Sequence, residues 1–196
     1  TNHRVFGEAV AVLAGDALIP FGAQIIIEQT PNTVSKSVLI SIVNDYLKTA
    51  GALGIVAGQV ADIEAENKKI DLRNLRYIHK YKTGALFKCS MVSGAKIAGV
   101  KANTLKLIER YAKNFGFLFQ IYDDIIDCTL TTEQIGKTAG KDKKSNKLTY
   151  VTALGLNGAK EKFYSLVNKN HDILNKLKIK SEIFAEIENK LIQRVN

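Results

Sequence analysis

The sequence predicts an all-α domain, and three observations carry that prediction. Every long segment repeats its apolar residues at helical rather than alternating spacing. No segment reads as a strand or hairpin, and there is no repeat at a fixed period and no low-complexity tract. The helices are also apolar enough that at least one must be enclosed by its neighbours, which implies a bundle.

A first helix is expected from about Val5 to Gln29, ended by Thr30-Pro31-Asn32-Thr33. Its stretch Ala9 to Ile27 is long and apolar, but Asp16, Pro20 and Gln24 are costly in lipid. A buried core helix is therefore expected there, with no stable membrane insertion. A second helix spans about Ser35 to Ala50 and a third about Ala52 to Asn67. Gly51 and Gly54 loosen that junction, so the two can also be read as one broken helix. Asp71 suits the N-cap of a helix reaching about Ala98. After a turn around Gly99, the next helix runs from about Ala102 to Cys128. A lysine-rich polar loop follows, from about Thr129 to Lys147, and loops of that length often carry function. Asn157 is expected to cap a helix ending near Leu177, and Ser181 to start a last one through about Arg194. A single domain over 1–196 accommodates all of this.

The formal charge of +9 favours anionic partners. A nucleic-acid binder would explain the charge, but the basic residues are spread along the chain and no helix clusters base-reading or stacking groups. Two cysteines, Cys89 and Cys128, each in a helical pattern, point to a reducing compartment without a disulfide framework. No signal-peptide pattern opens the chain, so a cytoplasmic location is expected. The chain enters its first helix almost at once, which suggests that more sequence belongs upstream.

The run Phe119-Gln120-Ile121-Tyr122-Asp123-Asp124-Ile125-Ile126-Asp127 places three carboxylates in an apolar segment. Removing a carboxylate from water is costly unless a cation compensates it. Asp123 and Asp127 are one helical turn apart, and Gln120 lies one turn earlier on that face. Such oxygen ligands suit Mg2+, which bridges carboxylates to substrate phosphates. A solvated acidic helix end is the competing reading. Elsewhere Gln59 and Asp62 share a helix face, continued by Glu66, and Asp16 interrupts the core pattern Leu13 to Leu18. Lys82 and Thr83 precede an apolar half-helix, and Gly84 there weakens the helix by about 1 kcal/mol relative to Ala. A kink at that point would aim Thr83 into a cavity. Taken singly, each of these residues reads more readily as a satisfied core polar group or a solvated edge than as part of a site.

Lys137 and Lys147 lie in the loop that follows the acidic run and are placed to fold back over it. Carboxylates, a divalent metal and lysines together suit a polyanion such as diphosphate. Gly136-Lys137-Thr138 is not a Walker A loop, because the residue five positions before Gly136 is Thr131 rather than glycine and no strand precedes it. The three histidines have no metal-ligand spacing, and His79 reads as a helix-face residue.

In combination these motifs resemble the trans-type polyprenyl diphosphate synthases, most closely the bacterial farnesyl and geranylgeranyl diphosphate synthases. Phe119-Gln120-x-x-Asp123-Asp124-x-x-Asp127 is similar to that family's second aspartate-rich motif. Leu13-Ala14-Gly15-Asp16-Ala17-Leu18, Gly58-Gln59-x-x-Asp62, Lys82-Thr83-Gly84-Ala85-Leu86, Gly136-Lys137-x-x-Gly140-x-Asp142 and Lys147-x-Thr149-Tyr150 follow the family order. The resemblance implies an isoprenoid-synthase-type helical bundle around a central cavity. It implies Mg2+-dependent, head-to-tail condensation of isopentenyl diphosphate with an allylic diphosphate, by a cytoplasmic homodimer. On that resemblance Asp123 binds the metal directly, Asp127 directly or through water, and Asp124 stands behind them. Lys82, Lys137 and Lys147 hold the allylic diphosphate. Thr83 and Gln120 offer oxygen dipoles to the allylic cation, and Phe119 lines the pocket. Gln59, Asp62 and Asp16 orient these groups.

The family's first aspartate-rich motif and the arginine pair after it are not in this sequence. The chain therefore resembles the C-terminal two-thirds of such an enzyme, truncated before the bundle is complete, and is expected to be inactive alone. The alternative is a non-catalytic, regulatory subunit of a heteromeric prenyl synthase.

Overall fold

The structure is a computed structural model that describes residues 2–68, 70–135, 147–177 and 182–195. Among the described residues the only regular elements are helices. They are α1 (Asn2–Phe6), α2 (Glu8–Gln29), α3 (Lys36–Ala50), α4 (Ile55–Glu64) and α5 (Leu72–His79). A π-helical turn (Lys80–Gly84) joins α5 to α6 (Ala85–Ile97), and α7 (Ala102–Thr129), α8 (Thr132–Ile135), α9 (Tyr150–Leu177) and α10 (Glu182–Val195) complete the bundle.

The core is built around α7. Its residues Tyr111, Leu118, Ile121 and Ile125 are fully buried, as is Phe163 of α9. These apolar positions recur at helical spacing, so burying them along one stripe is the main force holding α7 against α9. On another side α7 meets α6, where Phe87 packs edge-on against Phe115 with ring centroids 5.1 Å apart.

Caps define the starts of the helices. Ser35 caps α3 by accepting from Val38 N, and Asp71 caps α5 by accepting from Asn74 N at 2.8 Å. Thr149 and Thr152 cap α9 reciprocally: Thr149 N donates to Thr152 Oγ1 at 2.8 Å and Thr152 N to Thr149 Oγ1 at 3.1 Å. This helix begins earlier than the expected start at Asn157. It is broken at Gly155, whose φ of 72° takes the left-handed region open to glycine. The expected single helix Asp71 to Ala98 is observed as one rod whose middle turn is widened into the π turn. The first expected helix is divided at Gly7, where φ is 82°.

The expectation that α2 is a buried core helix is corrected. No residue of α2 is buried, and Leu13, Leu18 and Phe21 are all more than half exposed. Its neighbours are α1 and α3, and a single long helix can cover only one stripe of it. Tyr46 of α3 marks that stripe by donating its hydroxyl to Ile19 O at 3.0 Å. By length and composition alone α2 could cross a bilayer, with mean hydropathy 1.9.

The last helix is fixed by a buried carboxylate. Glu188 of α10 is fully enclosed, and its Oε1 accepts from Tyr111 Oη and Asn170 Nδ2, both at 2.9 Å. Its Oε2 lies 3.2 Å from His171 Nε2. Burial and the adjacent Glu188 charge push the Tyr111 hydroxyl above the ordinary phenol range, so it stays a donor. Arg194 then ties α10 to the end of α7, donating to Tyr122 Oη at 3.1 Å.

Candidate active site

Two glycine contacts bring the polar residues together. The π turn crosses α7 where Gly84 meets Gly116, and a Cβ on Gly116 would stand 2.6 Å from Gly84 Cα. It crosses α4 at Gly58, where an added Cβ would stand 2.6 Å from both Lys82 Cα and Tyr81 C. Only hydrogen atoms fit at either crossing. The π turn is thus pressed between α4 and α7, and it carries Lys82 and Thr83. Such single wide turns occur often at functional sites.

Lys82 Nζ lies 2.6 Å from Asp62 Oδ2, and Lys147 Nζ lies 3.0 Å from the same oxygen. Lys147 also reaches Glu66 Oε1 at 3.2 Å. Two ammonium groups from distant parts of the chain therefore share one carboxylate oxygen, whose side chain is only 14% exposed. Burial pushes the Asp62 carboxyl up, but hydrogen bonds from Lys82 and Lys147 outweigh it and hold the pKa below the ordinary value. For Lys147, burial opposes the charge, and the bonds to Asp62 and Glu66 reverse that and raise its pKa. Each ammonium has three donors. Asp62 takes one from Lys82 and Lys147 gives at most two to carboxylates, so among the described residues donors remain for an incoming anion.

The acidic run sits at the C-terminal end of α7. Asp124 is buried, and its Oδ2 accepts from Tyr150 N at 2.7 Å. It caps the first turn of α9, where a negative charge is favoured. Asp123 and Asp127 are half-buried on the adjoining face of the same helix. Among the described residues no three acidic, histidine or cysteine side chains converge as a ready-made metal cage. Asp123 and Asp127 alone, one turn apart, fit the way Mg2+ is held by one or two carboxylates with water and phosphate oxygens completing the shell. Phe119 packs on Phe87 with ring centroids 5.2 Å apart, and Gln120 and Thr83 are half-buried. Gln59 is exposed on the face that carries Asp62. Asp16 stays apart, on the uncovered α2. Lys137 lies outside the described residues.

Sequence reasoning missed His79. It is not a solvated face residue: it is 6% exposed, its ring lies 5.6 Å from that of Tyr150, and Nδ1 has no hydrogen-bond partner among the described residues. Burial lowers its pKa to about 4, with opposing contributions from Asp62 and Asp123 and a reinforcing one from Lys82. It is a neutral imidazole at pH 7, in the field of both halves of the site. Its place one turn before Lys82 was the available signal.

Lys82 and Lys147 on one oxygen of Asp62, and Asp123 and Asp127 on α7, against which the π turn packs, make up the candidate site. Comparison with known proteins gives the family. The profile described as Polyprenyl synthetase matches residues 1–187. The farnesyl diphosphate synthase of Geobacillus stearothermophilus is 44% identical over 162 residues, covering 83% of this chain and 54% of the relative. The chloroplastic geranylgeranyl pyrophosphate synthase of Capsicum annuum is also 44% identical over 162 residues, covering 82% of this chain and 44% of the relative. Among solved structures, the geranyltransferase of Helicobacter pylori complexed with magnesium and isoprenyl diphosphate superposes with a TM-score of 0.83. That pair shares 29% identity, covering 98% of this chain and 62% of the other. The chain belongs to the polyprenyl synthetase family. It spans about half the length of the curated relatives it matches.

Proposed function

We propose that this chain supplies the diphosphate-holding half of a prenyl transferase that joins an allylic diphosphate to isopentenyl diphosphate, making farnesyl or geranylgeranyl diphosphate. The observation that carries the reading is the convergence of Lys82 and Lys147 on Asp62 beside the helix bearing Asp123 and Asp127. Its relatives include synthases of both products.

The allylic C–O bond breaks heterolytically, leaving an allylic cation and diphosphate. Diphosphate is a usable leaving group only if its growing charge is neutralised as the bond breaks. Lys82, Lys147 and Lys137 supply ammonium donors for this, and Asp62 holds the first two close together against their mutual repulsion before substrate arrives. Bound Mg2+, on Asp123 and Asp127, would supply Lewis-acid stabilisation of the departing phosphate oxygens. Thr83 and Gln120 offer oxygen dipoles to the cation, and Phe119 with Phe87 keeps its surroundings apolar, so water does not quench it. The isopentenyl alkene attacks the cation, and loss of a proton from the adjacent carbon completes the product. Neutral His79 keeps an additional positive charge away from the Lys82 and Lys147 pair.

A non-reacting analogue, geranyl thiolodiphosphate, tests this by calorimetry. It binds in the presence of Mg2+ and loses affinity by roughly tenfold or more in Lys82→Ala, as expected for a charge-assisted contact. Equal binding by the variant would reject the assignment. The 196-residue chain alone yields no condensation product, because it carries one aspartate-rich motif and the reaction uses two; robust product formation would contradict this. A regulatory subunit is disfavoured because the Lys82, Lys147 and Asp62 cluster is intact and such a role has no use for it.

A further inference from the structure

The π turn has a second face. Away from Asp62, it borders a groove of about 480 Å³ enclosed by α3, α6 and the N-terminal half of α7. That is within the usual size range of small-molecule pockets. Gly84, Tyr81 and Lys80 form the wall it shares with the turn, while Lys82 and Thr83 take no part in its lining.

The groove is amphipathic. Leu53, Val92, Leu105 and Phe117 contribute apolar surface, and Cys89 is buried among them. Five lysines line it: Lys48, Lys80, Lys88, Lys96 and Lys113. Asp45 and Glu109 are the carboxylates in that lining, so three positive charges are in excess. Lys96 is committed, at 2.6 Å from Asp45 Oδ2 and 2.6 Å from Ser41 Oγ. Lys88 and Lys113 share one carboxylate, at 3.0 and 2.8 Å from Glu109 Oε1. Hydrogen bonds from Lys113 and then Lys88 hold the Glu109 pKa at about 2, so it is ionised at neutral pH. Lys80 folds onto its own neighbour, 4.6 Å over the Tyr81 ring with a 3.1 Å bond to its hydroxyl. Lys48 makes no ion pair among the described residues.

We propose that this groove binds one soluble amphipathic phosphate: an apolar chain along Leu53, Val92 and Phe117, and a phosphate or diphosphate head among Lys48, Lys80 and Lys88. The excess of three charges matches a head bearing two or three negative charges better than a single carboxylate. Lysines act on such heads as point charges with several donors each. The concave, half-enclosed shape suits a single chain rather than a lipid surface. The site is separate from the Asp62 cluster and does not rest on the prenyl-transfer reading. Because Lys80 and Tyr81 belong to the turn that presents Lys82, an occupant would bear on the diphosphate cluster from behind.

The test is calorimetric titration of the 196-residue chain with n-octyl phosphate in EDTA-containing buffer. We expect saturable binding of one equivalent, weakened roughly tenfold or more by Lys48→Glu and by Lys88→Ala, as for loss of a charged hydrogen bond. Lys169→Glu, on an exposed position of α9, leaves it unchanged. Octanol and inorganic phosphate each bind more weakly than octyl phosphate. Circular dichroism melts confirm that each variant is folded, and the two groove variants report independently. Absence of saturable binding would overturn the proposal, as would indifference to both groove substitutions. Loss of binding in Lys82→Ala would assign it to the diphosphate cluster instead, and equal binding of octanol would reduce it to apolar adsorption. Lys48-dependent sedimentation with phosphatidic acid vesicles, without saturable octyl phosphate binding, would make the surface a membrane contact and also overturn it.

Discussion

Replacing Gly58 by alanine tests how the fold aims the candidate site. The added methyl would stand 2.6 Å from Lys82 Cα and Tyr81 C, where ordinary contact begins at 3.4 Å. These are backbone atoms, so no rotamer change relieves the clash. Lys82 N stands nearer still, so either α4 or the π turn must withdraw by more than that difference. Overpacking of this kind costs about 1–3 kcal/mol. Alanine recovers up to about 1 kcal/mol of helix propensity, so a net loss of up to about 2 kcal/mol is expected. Gly94 is the matched control: it lies inside α6 and nothing stands within 4 Å of an added Cβ. Gly94→Ala should stabilise by up to about 1 kcal/mol. Urea unfolding of the two variants measures both. Withdrawal of the turn also moves Lys82 from Asp62, so Gly58→Ala should bind Mg2+-pyrophosphate more weakly while Gly94→Ala does not. If Gly58→Ala is as stable as Gly94→Ala and binds as the parent does, the π turn is not set by this contact.

His79 predicts a pH dependence of stability. Its folded pKa of about 4 lies below the ordinary value of 6.5, so the unfolded state binds more protons between those limits. Its contribution is complete above pH 6.5 and is lost as pH falls to about 4, amounting to roughly 3 kcal/mol. Urea midpoints across that range should fall accordingly, and a leucine at position 79 should flatten this part of the profile. Asp62→Asn removes the charge that Lys82 and Lys147 share; a loss of about 2 kcal/mol in urea unfolding and weaker pyrophosphate binding are expected. Glu188→Ala strands Tyr111 and Asn170 in the core and should cost about 3 kcal/mol, with Glu188→Gln costing less because it keeps an acceptor oxygen. Equal melting of the two Glu188 variants would show that the hydrogen bonds are not what holds α10.

Much of this architecture was legible in the sequence because it depends on short-range rules. Helical spacing located α7, and the Asp71 cap located α5 to within a residue. The shared face of Asp62 and Glu66 was also legible: both carboxylates meet Lys147. What was not legible depends on contacts between distant segments. Gly84 reads as a local weakness, whereas its role is set by Gly116 and the neighbouring turn by Gly58. Burial of His79 requires Tyr150, 71 positions later in the chain. Glu188 looks like an ordinary surface glutamate of an amphipathic helix until Tyr111 and Asn170 are brought to it. The apolar character of α2 suggested burial, but hydrophobicity states what a helix can bury and not what lies against it. The break at Gly155 follows the same pattern, since glycine permits a left-handed residue without requiring one.

The most direct measurement is calorimetric titration of the chain with inorganic pyrophosphate, with Mg2+ and with EDTA, beside an Asp123→Ala, Asp127→Ala double variant. The expected result is saturable binding that requires Mg2+, is lost in the double variant and leaves its thermal unfolding within a few degrees of the parent. Binding that is indifferent to Mg2+ and to both aspartates, or no binding by the folded parent chain, would contradict the assignment of this face of α7 and its lysines to a metal-bound diphosphate.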